Sequence, residues 1–201
     1  MDAGYSTTHN AVDGVEPPEV LARNIRVGAR LWAASLAFFF VAFFFAFLYL
    51  RALNTNGLWR GWPGHHPSPS LAFGIAILLC VLGSAAVAGA AVFLPAAMWR
   101  LAASAALLLA LAAIGLQAAQ FSSLGFGPTD GAYASVFVGW TGLFTVMLLG
   151  SAYWLATVVG DAARASEALE LRAAAVDGVR FVLLVLAGVE LAAFILLYGV
   201  K

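Results

Sequence analysis

Five long apolar runs, separated by short polar stretches, follow one another along the chain. The first lies between Arg30 and Arg51, which enclose twenty uncharged residues. A helix rises ~1.5 Å per residue, so twenty residues cover the ~30 Å hydrocarbon core of a bilayer. The pattern therefore predicts membrane-spanning helices at about 30–52, 71–94, 101–121, 132–159 and 177–200. The fold class that follows is all-α, a five-helix transmembrane bundle spanning residues 30–201. In the first span the phenylalanines at 38–40, 43–45 and 47 go right round the helix. No polar face marks a pore, and helix packing with lipid contact accounts for the ring.

The stretches between the spans carry the turn signals. Residues 1–29 read as a flexible polar tail, with Gly4, Gly14, Pro17 and Pro18 among acidic residues, followed by a basic collar of Arg23, Arg26 and Arg30. Residues 52–70 hold Asn-Gly, Pro-Gly and three prolines, which forbid a long helix. Arg30, Arg51, Trp59 and Trp62 suit the membrane–water interface, where a long stem or an amphipathic ring is stable. His65 and His66 are neighbours whose side chains diverge on an extended chain, a poor chelate.

In the second span Ala85, Ala86, Gly89 and Ala90 place small residues four apart, a pattern that lets helix backbones approach closely. Pro95 ends that span. The six-residue turn P-A-A-M-W-R makes spans two and three an antiparallel hairpin. Gln117 and Gln120, near the end of span three, are placed either to bond to a neighbouring helix or to meet interface water. Residues 122–131 form a turn-rich loop. The charges at 160–176 suggest an exposed helical connector with pairs such as Asp161 with Arg164.

Composition narrows the classes. The chain is 63% hydrophobic and 10% charged, and its acids and bases cancel. It has no basic footprint for nucleic acid. Cys80 is alone and fits a packing role. The polar start lacks the apolar core of a secretory signal, so the first span itself must direct insertion. Seven arginines (23, 26, 30, 100, 164, 172, 180) fall on one side of the predicted topology, against Arg51, Arg60 and Lys201 on the other. The positive-inside rule then places the amino terminus in the cytoplasm.

Glu190 is the single acid near mid-span. A charged carboxylate there costs at least ~2.5 kcal/mol, so it should face other helices. It fits a proton-linked or lipid-linked site, or a protonated packing contact. The three histidines, His9, His65 and His66, all lie outside the spans, so no span offers imidazole to haem iron or copper. No phosphate loop, nucleophile motif or carboxylate pair appears. No catalytic, cofactor-binding or metal-ligating residue is assigned.

One set of residues, in order, resembles a known family. The stretch V27-G-A-R-L-W-A-A-S-L-A-F-F-F, Trp62-Pro63, G115-L-Q-A-A-Q-F, A132-Y-A-S-V-F-V-G-W-T-G and A192-A-F-I-L-L-Y together resemble subunit III of the haem-copper (cytochrome c) oxidases in its short, five-helix bacterial form. The departures are specific. Leu36 and Gln120 stand where that family has Glu, Phe144 and Met147 where it has His, and Ala187 where it has Asp. Glu190 lies three residues beyond Ala187, on the same helix face.

The resemblance implies a non-catalytic integral subunit of a respiratory terminal oxidase in a bacterial plasma membrane. It would pack on the haem-bearing large subunit and other oxidase subunits, organise phospholipid and support sustained turnover. Haem and copper are expected in the partner subunits and none in this chain. An accessory protein of the NorE type, found with nitric oxide reductase, fits the same residues. A small transporter or channel built on Glu190 is the reading from another class, and an assembly factor is a third.

Overall fold

The computed structural model describes residues 16–61, 69–95, 98–164 and 169–200. All their regular structure is helical. The elements are α1 (Pro18–Ala52), a short 3₁₀ turn (Leu58–Arg60), α2 (Leu71–Ala91), α3 (Trp99–Ser123), α4 (Ala132–Arg164) and α5 (Leu169–Phe194), which continues into a π turn (Ile195–Gly199). Five helices are long and apolar enough to cross a membrane. The chain is a polytopic, all-α membrane protein.

Helix α1 starts inside the stretch expected to be a tail. Pro18 sits in its first turn, where the missing N–H removes no helical bond and the fixed φ suits the helix. Glu19 adds an acid where the macrodipole favours one. Ala22 and Ala29 are buried, so the segment bearing Arg23, Arg26 and Arg30 packs against the bundle. The polarity of residues 18–29 reflects a helix extending past the hydrocarbon, not a lack of structure.

The other ends differ less. Helix α2 stops at Ala91, and Phe93 and Leu94 turn back to bond the carbonyls of Ala90 and Ala91 ahead of Pro95. The stretch expected to form a separate connector instead extends two spans: α4 runs to Arg164 and α5 begins at Leu169. The side chains of Asp161 and Arg164 fall outside the described residues, as do Trp62, His65 and His66.

Helix α5 is the centre of the bundle, touching α1, α2 and α4. Helices α2 and α3 form the expected hairpin and share the most extensive contact. Small residues let them close: Ser84, Ala85, Ala88 and Ala91 of α2 are buried, as are Ala103, Ala106, Ala110 and Ala113 of α3. The Ser84 hydroxyl donates to the Ala106 carbonyl across the seam at 2.8 Å. The predicted stripe is thus only partly right. Ala85 faces inward, but Ala86 and Ala90 are exposed, and a Cβ built on Gly89 meets nothing within 4 Å.

At the end of the bundle that carries the start of α1, Trp32 of α1 packs on Trp154 of α4, ring centroids 5.8 Å apart. Gly178 of α5 fits beneath them. A Cβ there would lie 2.8 Å from the Trp154 ring and 3.1 Å from Ala29. Of the seven phenylalanines of α1, Phe40 and Phe47 are buried and Phe43 is half-buried, while Phe38, Phe39, Phe44 and Phe45 face outward. Phe40 meets Trp140 and Phe144 of α4 at 6.0 and 6.2 Å.

Candidate functional site

A group of bonded polar side chains inside the bundle lies toward the end opposite the start of α1. Gln117 and Gln120 are one turn apart on α3 and both are buried. The Gln117 amide donates to the Gln120 side-chain oxygen at 3.1 Å. Gln120 donates in turn to the Tyr198 hydroxyl at 2.6 Å, with a longer contact to the Ser70 carbonyl at 3.5 Å. Of the two outcomes open to these amides, Gln120 bonds across to a neighbouring helix, while Gln117 bonds to Gln120 within α3. Apolar surroundings favour it, because an unpaired amide there loses its water without replacement.

Tyr198 reaches Gln120 because of two local features. The last turn of α5 is wound i→i+5, with the Val200 N–H bonded to the Ile195 carbonyl at 3.0 Å. In an α-helix residues seven apart share a face; one π turn adds a residue, which brings Tyr198 round to the face of Glu190. The second feature is Gly74 of α2. A Cβ there would sit 2.6 Å from Tyr198 Cζ, so only glycine leaves room for the ring. Phe194 stacks on that ring at 5.3 Å and Phe137 meets it edge-on at 5.9 Å. Tyr133 of α4 closes the group, its hydroxyl donating to the Leu197 carbonyl at 2.6 Å. That bond satisfies a carbonyl at a helix end, where no intrahelical partner is available.

Trp59 does not act as an interface anchor. Its ring is buried, 5.3 Å from Phe47 and 5.8 Å from Tyr133, and its backbone N–H donates to the Asn54 side-chain oxygen at 2.8 Å. The loop between α1 and α2 folds this residue down as a plug over the bundle end. Arg30 is exposed and Arg51 half-buried, each near an end of the first apolar run.

Glu190 lies nine residues before Gly199, hence ~13 Å along the helix and near the middle of the hydrocarbon. It is 7% exposed and turned toward other helices, as its cost in lipid requires. No hydrogen-bond or ion-pair partner for its carboxyl occurs among the described residues. It lies within electrostatic reach of Tyr198. The structure therefore joins Gln117, Gln120 and Tyr198 directly and leaves Glu190 below them, unbonded.

An apolar crevice of about 290 Å³ opens between α1 and α5 on the other face of α5, lined by Phe40, Val41 and Phe44, Val185 and Val189, with Trp140 at its floor. Among the described residues the indole N–H of Trp140 is buried without a hydrogen-bond partner, as is that of Trp59. Of the apolar residues standing where the resembled family carries charge or imidazole, Leu36, Phe144 and Ala187 belong to the buried core and Met147 is partly buried against it. Among the described residues no three His, Cys, Asp or Glu side chains converge as metal ligands would.

Tyr133 and Tyr198 are the participants that single-residue reasoning did not assign. Their signal is present only as the tyrosines of A132-Y and I195-L-L-Y, each at a span end. No protein-family model matches the chain, and no curated protein matches it.

Proposed function

We propose that this chain is a non-catalytic integral membrane subunit resembling subunit III of haem-copper oxidases, seated beside a larger haem-bearing subunit in a bacterial plasma membrane. One observation carries this reading. The residues that make up the ordered resemblance, far apart in sequence, meet in one core. Gln120 of the third-span motif bonds Tyr198 of the last, Tyr133 of the fourth-span motif bonds the backbone beside Tyr198, and Trp140 packs on Phe40 of the first-span motif. Motif residues that cohere as packing support a shared scaffold.

The core they form is apolar where redox ligands would stand, which supports a role in holding a partner and its lipids in place. The apolar crevice between α1 and α5 is open at the bundle surface and suits an acyl chain or a partner side chain. The test is affinity purification of the tagged chain from its native membrane in mild detergent. A haem-containing polytopic chain is expected to co-purify, with haem absorbance in the eluate. Recovery of the chain alone, in a cell respiring through such an oxidase, would overturn the reading. Co-purification of a nitric oxide reductase would favour the NorE-type alternative.

A second reading rests on Glu190. A mid-membrane carboxyl with no bonded partner among the described residues, below a polar seam leading to one membrane surface, suits proton-coupled transport. Proteoliposomes would then show a proton-linked flux that Glu190→Gln abolishes. The absence of any such flux would remove this reading.

A further inference from the structure

At the opposite end of the bundle from the polar seam, Arg172 stands over a pocket that neither reading uses. Arg172 is the fourth residue of α5, Trp99 the first of α3 and Ala91 the last of α2, so the three helix ends meet at the depth of lipid headgroups. The pocket is about 190 Å³, with Trp99, Val92, Leu94 and Val176 in its walls. Its walls are apolar apart from the guanidinium, which lies 5.6 Å from the centroid of the Trp99 ring. Trp99 is buried and half-buried Arg172 rests against it. A guanidinium held by cation–π contact still offers a planar fork of N–H donors.

Among the described side chains no carboxylate lies within ion-pair distance of Arg172, and Asp177 is paired with Arg180 at 3.8 Å. Arg100, exposed and next to Trp99, adds a second cation at the same level. A planar donor fork matches phosphate oxygens, and an apolar wall running from it toward the bilayer matches an acyl chain. A free anion would use the first feature and ignore the second.

We propose that this pocket binds an anionic phospholipid of the leaflet on the amino-terminal side, its phosphate on Arg172 and one acyl chain along Val92, Leu94 and Val176. The proposal does not depend on which large partner the chain joins.

The test uses the full chain, purified in mild detergent and stripped of lipid. Native mass spectrometry then follows binding of phosphatidylglycerol and of phosphatidylcholine supplied at equal mole fraction. The wild-type chain should retain phosphatidylglycerol severalfold more strongly. Arg172→Gln should reduce the preference to less than twofold, and Arg172→Lys should keep part of it. Val92→Phe, which fills the wall but leaves the charge, should lower retention with the helical circular dichroism unchanged. Millimolar inorganic phosphate should leave the lipid in place. Equal retention of both lipids by the wild type would overturn the proposal. So would wild-type preference in both Arg172→Gln and Val92→Phe, and displacement by phosphate would reassign the site to the free anion.

Discussion

The side-chain amide of Gln120 and the hydroxyl of Tyr198, 78 residues apart, meet at 2.6 Å and tie the end of α3 to the end of α5. Removing one partner leaves the other buried and unpaired, which costs ~1–3 kcal/mol. Removing both leaves neither of the two unpaired, and only the Gln117 amide, which loses its acceptor on Gln120 in the single Gln120 variant and the double variant alike, stays unsatisfied. Tyr198→Phe and Gln120→Leu should each destabilise the bundle by more than ~1 kcal/mol, and the double variant should lose less than their sum. Reversible unfolding in mixed micelles, read as a double-mutant cycle, measures the coupling. Additive losses would show that the contact does not bind the two helices.

Gly74 and Gly89, both on α2, provide a contrast at constant chemistry. Gly74→Ala puts a methyl group 2.6 Å from Tyr198 Cζ, so the ring must move and release Gln120. The expected cost is ~1–3 kcal/mol, as for other overpacked cores. At Gly89 the same methyl meets nothing within 4 Å, and Gly89→Ala should be neutral or stabilising. Thermal unfolding of the two variants side by side tests this. A larger loss at Gly89 would restore the small-residue stripe that the structure redraws.

The existence, order and number of the spans were legible because length and apolarity suffice for them. Which face of each span turns inward was not. A helix apolar on all sides gives little periodic signal, and Ala86 differs from Ala85 only in what the neighbouring helix happens to offer. Residues 18–29 look like a tail because polarity there reflects position beyond the hydrocarbon. Trp59 looks like an anchor because tryptophan suits both an interface and a core, and only the loop's path decides. The polar seam was half legible: two glutamines one turn apart on an apolar helix require a partner. Tyr198 could not be named as that partner, since an α-helical register leaves it off the face of Glu190, and nothing local in I195-L-L-Y announces a π turn.

Orientation gives a prediction that rests on charge alone. Seven arginines on the amino-terminal side against three cations on the other predict, by the positive-inside rule, an amino terminus in the cytoplasm. Cys80 is the sole cysteine, so Cys80→Ser provides a clean background. In intact cells a membrane-impermeant maleimide should label Asn56→Cys, in the exposed loop after α1, and should spare Arg100→Cys at the start of α3. Labelling in the reverse pattern would invert the topology, and with it the leaflet that Arg172 faces.

The burial of Glu190 without a bonded partner among the described residues sets up the sharpest separation of structural from functional roles. An acid kept only for packing is a poor solution, because a leucine of similar volume avoids the desolvation cost that the carboxyl incurs. Glu190→Leu should therefore leave the bundle as stable as before or more stable, by up to ~2 kcal/mol on the scale of unsatisfied buried polar groups. Glu190→Gln should fold normally, and Glu190→Lys should insert poorly, since a lysine at that depth costs ~2.5–3.5 kcal/mol. Unfolding in micelles measures the first two, and membrane yield the third. If Glu190→Leu instead destabilises by several kcal/mol, the carboxyl holds the bundle together through a partner among the residues around α5. If stability is kept while respiration or proton flux falls, the acid is retained for work that packing does not require.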